Sequence, residues 1–330
     1  MKIKNILITG SQGYIGSCLH RSLSKKTYNI HCLDKKMSLI NLNQSNFKKI
    51  NLLDYKKLKK QGKKINPDLI IHLAGESTID NINSKSNYIN NNIAATKNII
   101  KLMKELKIKN LIFSSTAAVY GKKKKLIKEN STKNPSNIYG KTKLECEKLI
   151  KIGLKSFDSK FIILRFFNVC SSLKKDNIGE FHSPETHLVP ILINKMLNKK
   201  KFKVYGKEFN TSDKTCERDY IHIKDINFAI QKCIGFMERN NSSEIFNLGS
   251  GNPISVLKLI KFIKKQNPDF KFEYTTKRKG DVDRLACSII KAKNKLGWFP
   301  KFSNLKNIFF DEIYWQKKIS KYLLKRKFKY

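Results

Sequence analysis

Ile3-Lys4-Asn5-Ile6-Leu7-Ile8-Thr9 runs straight into Gly10-Ser11-Gln12-Gly13-Tyr14-Ile15-Gly16. A short apolar run of this kind reads as a buried strand. The glycines are spaced G-x-x-G-x-x-G, and Ile15, Leu19 and Leu23 then recur at helical spacing. A strand, a tight glycine turn and a helix start together form a phosphate cradle, because backbone N–H groups and the helix dipole both point at the anion. A glycine trio alone is weak evidence; its place at the first strand-to-helix turn is what gives it weight. A second strand, Asn29-Ile30-His31-Cys32-Leu33, ends at Asp34, 18 residues after Gly16. An acid there bonds the adenosine ribose hydroxyls and repels a 2′-phosphate, which favours NAD over NADP. The plainer alternative is a strand-end Asp that caps the next turn, and Lys35 and Lys36 soften the preference.

The strand–helix alternation continues outward. Residues 37–66 are polar, with a short strand expected near Lys49–Leu52 and a helix near Tyr55–Gln61. Pro67-Asp68-Leu69-Ile70-Ile71-His72-Leu73-Ala74-Gly75 reads as a strand ending in small residues, which lets a dinucleotide lie against the backbone. His72 falls inside that apolar run and reads as a packed core histidine. A long helix is expected over Tyr88–Leu106, carrying Asn91 and Asn92. The strand from Lys109 ends in Ser114-Ser115-Thr116, hydroxyls at the end where ligands sit in open α/β sheets; the same residues also suit a plain strand exit. Lys122–Lys125 reads as a solvated basic turn, and Phe161–Asn168 as another buried strand. Repeated β-α units predict a doubly wound, Rossmann-type parallel sheet.

After about residue 168 the repeat breaks. Helices are expected near 187–198, 224–238 and 255–266, and short strands near 202–205, 244–248 and 271–274. No sequence repeat or flexible linker separates this part. We expect a Rossmann domain over 1–168 and a smaller α/β lobe over 169–330, with some interleaving of the chain and a substrate pocket between them.

Ser136-Asn137-Ile138-Tyr139-Gly140-Lys141-Thr142-Lys143 places a Tyr and a Lys one helical turn apart, with Pro135-Ser136 as a helix start. A cation there favours a tyrosinate that can serve as a base. In a chain so rich in Lys, the pair by itself reads as an ordinary surface helix; the case for chemistry must come from the residues around it.

Composition narrows the classes. The chain has 330 residues and a formal charge of +42, yet of 68 basic residues only 7 are Arg, and the Lys are spread throughout. Nucleic-acid readers favour Arg for bidentate contacts, so the excess reads as compositional bias rather than a binding face. The charge would still help recruit an anionic substrate. Seven Cys at irregular spacing, with no C-x-x-C, argue against a metal site or a disulfide framework and for reduced thiols. With no signal-peptide pattern and no apolar run near 18 residues, no membrane partner is expected and the location is expected to be cytoplasmic.

The glycine turn, the Ser-Ser-Thr strand exit and Tyr139/Lys143 together resemble the extended short-chain dehydrogenase/reductases. Arg165-Phe166-Phe167-Asn168-Val169, Ile178-Gly179-Glu180-Phe181-His182-Ser183-Pro184-Glu185-Thr186-His187-Leu188-Val189-Pro190, Arg218-Asp219-Tyr220-Ile221-His222, Phe246-Asn247-Leu248-Gly249-Ser250-Gly251 and Arg278-Lys279-Gly280-Asp281 narrow the resemblance to the UDP-glucose 4-epimerases. It spans essentially the whole chain, to Leu296-Gly297-Trp298.

The resemblance implies bound NAD, interconversion of UDP-glucose and UDP-galactose by transient oxidation at C4, and a homodimer paired through the helices near 88–106 and 136–152. Tyr139 would be the acid/base, Lys143 would orient the nicotinamide ribose and depress the Tyr pKa, and Thr116 would bond the sugar 4-hydroxyl. Gly10, Gly13, Tyr14, Ile15 and Gly16 would hold the pyrophosphate and Asp34 the adenosine ribose. Asn51, Leu52, Leu73, Ala74, Gly75, Asn92, Ser114 and Phe167 would line the rest of the cofactor site. Asn168, His187, Leu188, Lys203, Tyr205, Arg218, Arg278 and Asp281 would surround the UDP-sugar, with two Arg suited to a diphosphate and Tyr205 offering a face to uracil.

The chain departs from the family pattern in places. Asn51 stands where an Asp is usual, Glu76-Ser77-Thr78 lacks a larger residue, and Ser11 replaces a common Gly. Leu285, at a gate position, leaves N-acetylated sugars an open question. Three alternatives stand beside this reading. A 4,6-dehydratase would need an Asp-Glu pair where Ala117-Ala118 stand. An epimerase of UDP-N-acetylglucosamine or UDP-glucuronate fits the same residues. A catalytically retired RNA-binding relative fits the charge but not the retained Thr116, Tyr139 and Lys143.

Overall fold

The computed structural model describes residues 2–38, 44, 46–77, 85–123, 125–278 and 281–327. Thr78, Lys124, Lys279 and Gly280, named above, lie outside the described residues.

Strands β1 (Asn5–Thr9), β2 (Asn29–Asp34), β3 (Phe47–Lys49), β4 (Leu69–His72), β5 (Asn110–Thr116) and β6 (Lys160–Phe166) join Glu244–Leu248 in one seven-stranded sheet. All pairings are parallel, in the spatial order 244–248, β6, β5, β4, β1, β2, β3. β5, an interior strand, is buried at every residue, as a parallel strand covered on both faces should be. On one face α1 (Tyr14–Leu23) and the Ile223–Arg239 helix bury Leu19, Leu23, Ile226, Ile230 and Ile234 against the sheet. On the other, α2 (Tyr55–Ile65) and the helices Ala95–Glu105 and Ile138–Lys155 bury Leu58, Ile99, Met103, Cys146 and Ile150. The fold is the doubly wound α/β class that the sequence predicts, and its strand order reverses between β1 and β4, where such sheets bind ligands.

Three differences from the sequence reading have physical causes. The short strand expected near 49–52 forms at Phe47–Lys49, because pairing with Cys32–Asp34 of β2 fixes its register. The helix expected over Tyr88–Leu106 contains a π-helical segment, Ile89–Ala94, between α-helical Lys85–Tyr88 and Ala95–Glu105. Apolar periodicity does not register one inserted residue, whereas a π-turn commonly marks a side chain diverted to a site; here the diverted residue is Asn92. The strand at 244–248, read with the second lobe, pairs with β6 and closes the edge of the central sheet.

Most of 168–222 and 254–285, with 305–310, builds the smaller lobe, while Ala292, Leu296 and Trp298 pack with the core of the central sheet. Phe202–Tyr205 pairs in parallel with Phe272–Thr275, and Leu192, Phe202, Ile260, Ile263 and Phe309 share a separate core. Tyr220–His222 pairs with Asn168–Cys170 immediately after β6, so the lobe is rooted at the exit of the sheet.

Candidate active site

A cavity of about 670 Å³ opens at the carboxyl ends of β1, β4, β5 and β6. At its β1 end Gly10 has φ +72°, a left-handed conformation, and a Cβ there would lie 2.5 Å from the Ala74 nitrogen. A Cβ on Gly16 would lie 2.1 Å from the Gly10 carbonyl oxygen. The turn is thus drawn down onto β4 and α1 is drawn in behind it. Gly13 caps α1 with no side-chain acceptor, so the first-turn N–H groups point freely into the cavity.

Asp34 stands at the neighbouring strand end, its carboxylate accepting from the Gln12 N–H at 3.0 Å and the Lys36 N–H at 3.2 Å. Burial raises its pKa and those hydrogen bonds oppose the rise. Asn51, Leu52, Leu73, Ala74, Gly75, Ser114 and Phe167 also line the cavity. These residues fit a dinucleotide: a side-chain-free cradle for phosphates, a carboxylate one strand away for ribose, and an apolar trough between them.

Asn92 does not line the cavity. It is buried, accepts from the Glu76 N–H at 2.7 Å and donates to the Thr142 hydroxyl at 3.0 Å. It therefore ties the Gly75-Glu76 turn to the Ile138–Lys155 helix. His72 is also fully buried, between the Thr9 hydroxyl at 2.7 Å and the Thr96 hydroxyl at 3.2 Å. Burial, reinforced by the Lys143 charge, pushes its pKa down to about 3, so it stays neutral.

Thr116, Tyr139 and Lys143 converge on the same wall. Asn137 caps their helix, its side chain accepting from the Gly140 N–H at 2.7 Å. A Cβ on Gly140 would sit 2.6 Å from the Ala118 carbonyl oxygen, so the first helical turn packs directly on the turn after Thr116. Burial pushes the Tyr139 hydroxyl up to about 12, with the Thr116 hydroxyl pulling the other way. The expected depression of Tyr139 by Lys143 is not seen in the protein alone. The Lys143 ammonium lies 4.3 Å above the Phe113 ring, and burial lowers its own pKa to about 8.

One turn further along, Glu147 takes both the Nε and Nη2 groups of fully buried Arg165, at 2.9 and 2.6 Å, and the Ser115 hydroxyl at 2.6 Å. Arg165 also donates to the Tyr120 hydroxyl at 2.6 Å and the Glu129 carbonyl at 2.8 Å. This network clamps the helix to β5 and β6. Sequence reading assigned Glu147 no part in it, because its partners lie on other strands.

The far end of the cavity is lined by Asn168, Glu180, His182, His187, Arg218 and Leu285. Arg218 is fastened by donating to the Glu217 and Val282 carbonyls at 2.9 and 2.8 Å, and Asp281 stands 3.6 Å from it. Burial works against charge on His187, but bonds to Glu180 and Glu185 raise its pKa to about 10, so it is an imidazolium. Leu188, Lys203, Tyr205, Arg278 and Asp281 do not line this cavity. The Arg278 guanidinium covers the Tyr205 ring at 3.6 Å, so the face expected for a base is already stacked. Glu180 and His182 were quoted within a motif but given no role; the close spacing of His and Glu across 180–187 was the available signal.

A Rossmann cavity ending in a Thr–Tyr–Lys group defines a dinucleotide-dependent enzyme of the short-chain type. The chain belongs to the NAD dependent epimerase/dehydratase family, which it matches over residues 6–249. It is 32% identical over 319 residues to a UDP-glucose 4-epimerase of Lactobacillus helveticus, covering 94% of this chain and 97% of that one. It is also similar to the UDP-glucose 4-epimerase of Bifidobacterium longum solved with NAD+ and UDP, at TM-score 0.86 and 26% identity, covering 95% of this chain and 98% of the other. The UDP-Glc/GlcNAc 4-epimerase of Campylobacter jejuni superposes at TM-score 0.81 and 31% identity, over 96% and 99% of the two chains.

Proposed function

We propose that the protein interconverts UDP-glucose and UDP-galactose at the sugar C4, holding its NAD through each turnover. The observation that carries this reading is the wall where Thr116, Tyr139 and Lys143 meet, with Ala117-Ala118 beside them. Bound NAD supplies the acceptor and donor of hydride and adds a positive charge to the chamber. Tyr139 takes the proton from the 4-hydroxyl and later returns it, and Thr116 fixes that hydroxyl. Lys143 holds the cofactor ribose and, together with the positive ring, offsets the burial that keeps Tyr139 protonated in the protein alone. Arg218 anchors the diphosphate while the sugar presents its other face. Elimination of water would need a further proton donor, and Ala117-Ala118 offer none.

Leu285 on the cavity wall, and the similarity to the Campylobacter jejuni protein, make N-acetylated UDP-sugars the second substrates to try. Purified protein is given UDP-galactose, UDP-N-acetylgalactosamine and UDP-galacturonate in turn, and the sugars released from the products are separated. UDP-glucose from the first is the expected result; a 4-keto-6-deoxy product or no reaction would refute the reading.

The partner we propose is a second copy. Ile152, 74% exposed, stands with Leu149, Ile100 and Gly153 in a shallow recess on the Ala95–Glu105 and Ile138–Lys155 helices, rimmed by Lys97, Lys101, Lys104 and Glu105. Sedimentation should give a dimer that Ile152→Lys dissociates. The proposed location is the cytoplasm, in keeping with seven cysteines that are all free. Among the described residues no helix is long and apolar enough to cross a membrane.

A further inference from the structure

Across the chamber from Tyr139, the segment 180–187 gathers four titratable side chains. Glu180 is 3% exposed, and its Oε1 lies 3.0 Å from His187 Nδ1 and 3.5 Å from His182 Nδ1. Glu185 Oε1 closes the group, 3.3 and 3.8 Å from the same two nitrogens. One donor atom each from Glu180, His182 and His187 falls within 4.8 Å of the others. A tetrahedral ion with bonds of about 2.0–2.1 Å holds its donors about 3.4 Å apart, which is the spacing seen here.

An ion-pair network alone accounts for His187, which both carboxylates reach. It leaves two other atoms without a hydrogen bond: Glu180 Oε2, and His182 Nδ1, whose nearest carboxylate oxygen is 3.5 Å away, and both are enclosed. A buried polar atom left in that state costs about 1–3 kcal/mol, so groups of this kind call for an explanation. Behind them lies Glu312, also buried, with its own Oε2 unpartnered. Three acids therefore converge in a chain that has only 26 of them against 68 basic residues.

We propose that Glu180, His182 and His187 bind one divalent transition-metal ion of the zinc class, with the fourth position open to the chamber. Two imidazoles and a carboxylate suit zinc better than calcium or magnesium, which prefer all-oxygen shells. Glu180, His182 and His187 line the open cavity, so an ion has a path in. The ion takes the place of the proton that His187 holds between Glu180 and Glu185, so uptake releases a proton. The proposal does not depend on which sugar nucleotide the chamber takes.

The test uses the full-length protein stripped with a chelator and titrated with zinc chloride in a calorimeter. One equivalent should bind, weakened about hundredfold or more in a His182→Gln/His187→Gln double variant and unchanged in Cys216→Ser. Cobalt(II) should give the visible bands of a nitrogen–oxygen site without a thiolate charge-transfer band. Equal zinc uptake by the double variant, or a thiolate band, would overturn the proposal. Should the double variant fold poorly, His182→Gln alone decides. Weakened zinc binding with an unchanged metal-free melting temperature supports the site, and undiminished binding refutes it.

Discussion

At the Gly10–Gly16 end of the cavity the backbone makes the site, and at the Arg218 end side chains do. The first end consists of N–H groups, missing Cβ atoms and one strand-end carboxylate, all within the first 34 residues of the chain. The second is assembled from Asn168, Glu180, His187, Arg218 and Leu285, spread over more than a hundred residues and held by pairwise bonds between loops. A cradle of backbone tolerates few substitutions but needs no long-range pairing, whereas a ring of side chains depends on the lobe that carries it. Tyr139 stands at the junction of the two.

The sharpest test of that junction is Tyr139→Phe. Turnover should fall by about a thousandfold or more while NAD stays bound, read by steady-state assay and by the cofactor recovered from denatured protein. Near-normal turnover would remove Tyr139 from the chemistry. Next in size, Glu147→Gln leaves Arg165 buried with its partner's charge removed, and should cost about 3–5 kcal/mol in denaturant unfolding. A loss below about 1 kcal/mol would mean that the helix is held by packing alone.

Lys143 supplies a pH test. Burial lowers its pKa to about 8, below that of the unfolded chain, so between about pH 8 and 10 the unfolded state holds more protons. Stability of the NAD-free protein should therefore rise with pH across that window relative to Lys143→Met, by about 3 kcal/mol in total. The variant serves as the reference because buried thiols titrate in the same range. Parallel profiles would show that the ammonium is not buried. The smallest effects separate the two ends: Asp34→Asn should weaken NAD about tenfold and leave the sugar-nucleotide KM alone, and Arg218→Met should do the reverse. If each substitution altered both affinities equally, the division between the ends would fail.

The same division explains what the sequence alone revealed. Gly10, Gly13, Gly16 and Asp34 were readable because a strand, a turn and a helix are contiguous and their chemistry is local. Tyr139 and Lys143 were readable as a pair because one helical turn fixes their spacing. The π-turn that swings Asn92 under Gly75 was not, since apolar spacing looks the same through it. Nor was the Glu147–Arg165 clamp, whose members are an ordinary helix Glu and strand Arg until β5 and β6 bring them together. The stacking of Arg278 on Tyr205 escaped for a related reason: each was read as facing a ligand, and neither hinted at the other.

The strand at 244–248 sets an order on how the chain can be made. When a ribosome has delivered residues 1–166, six of the seven sheet strands exist, but β6 still has an open edge. The partner that covers it is more than seventy residues away, beyond the first part of the smaller lobe. The cofactor half therefore cannot finish folding as an independent unit during synthesis. Its last strand arrives only after the first part of the substrate half has emerged, which interleaves the folding of the two.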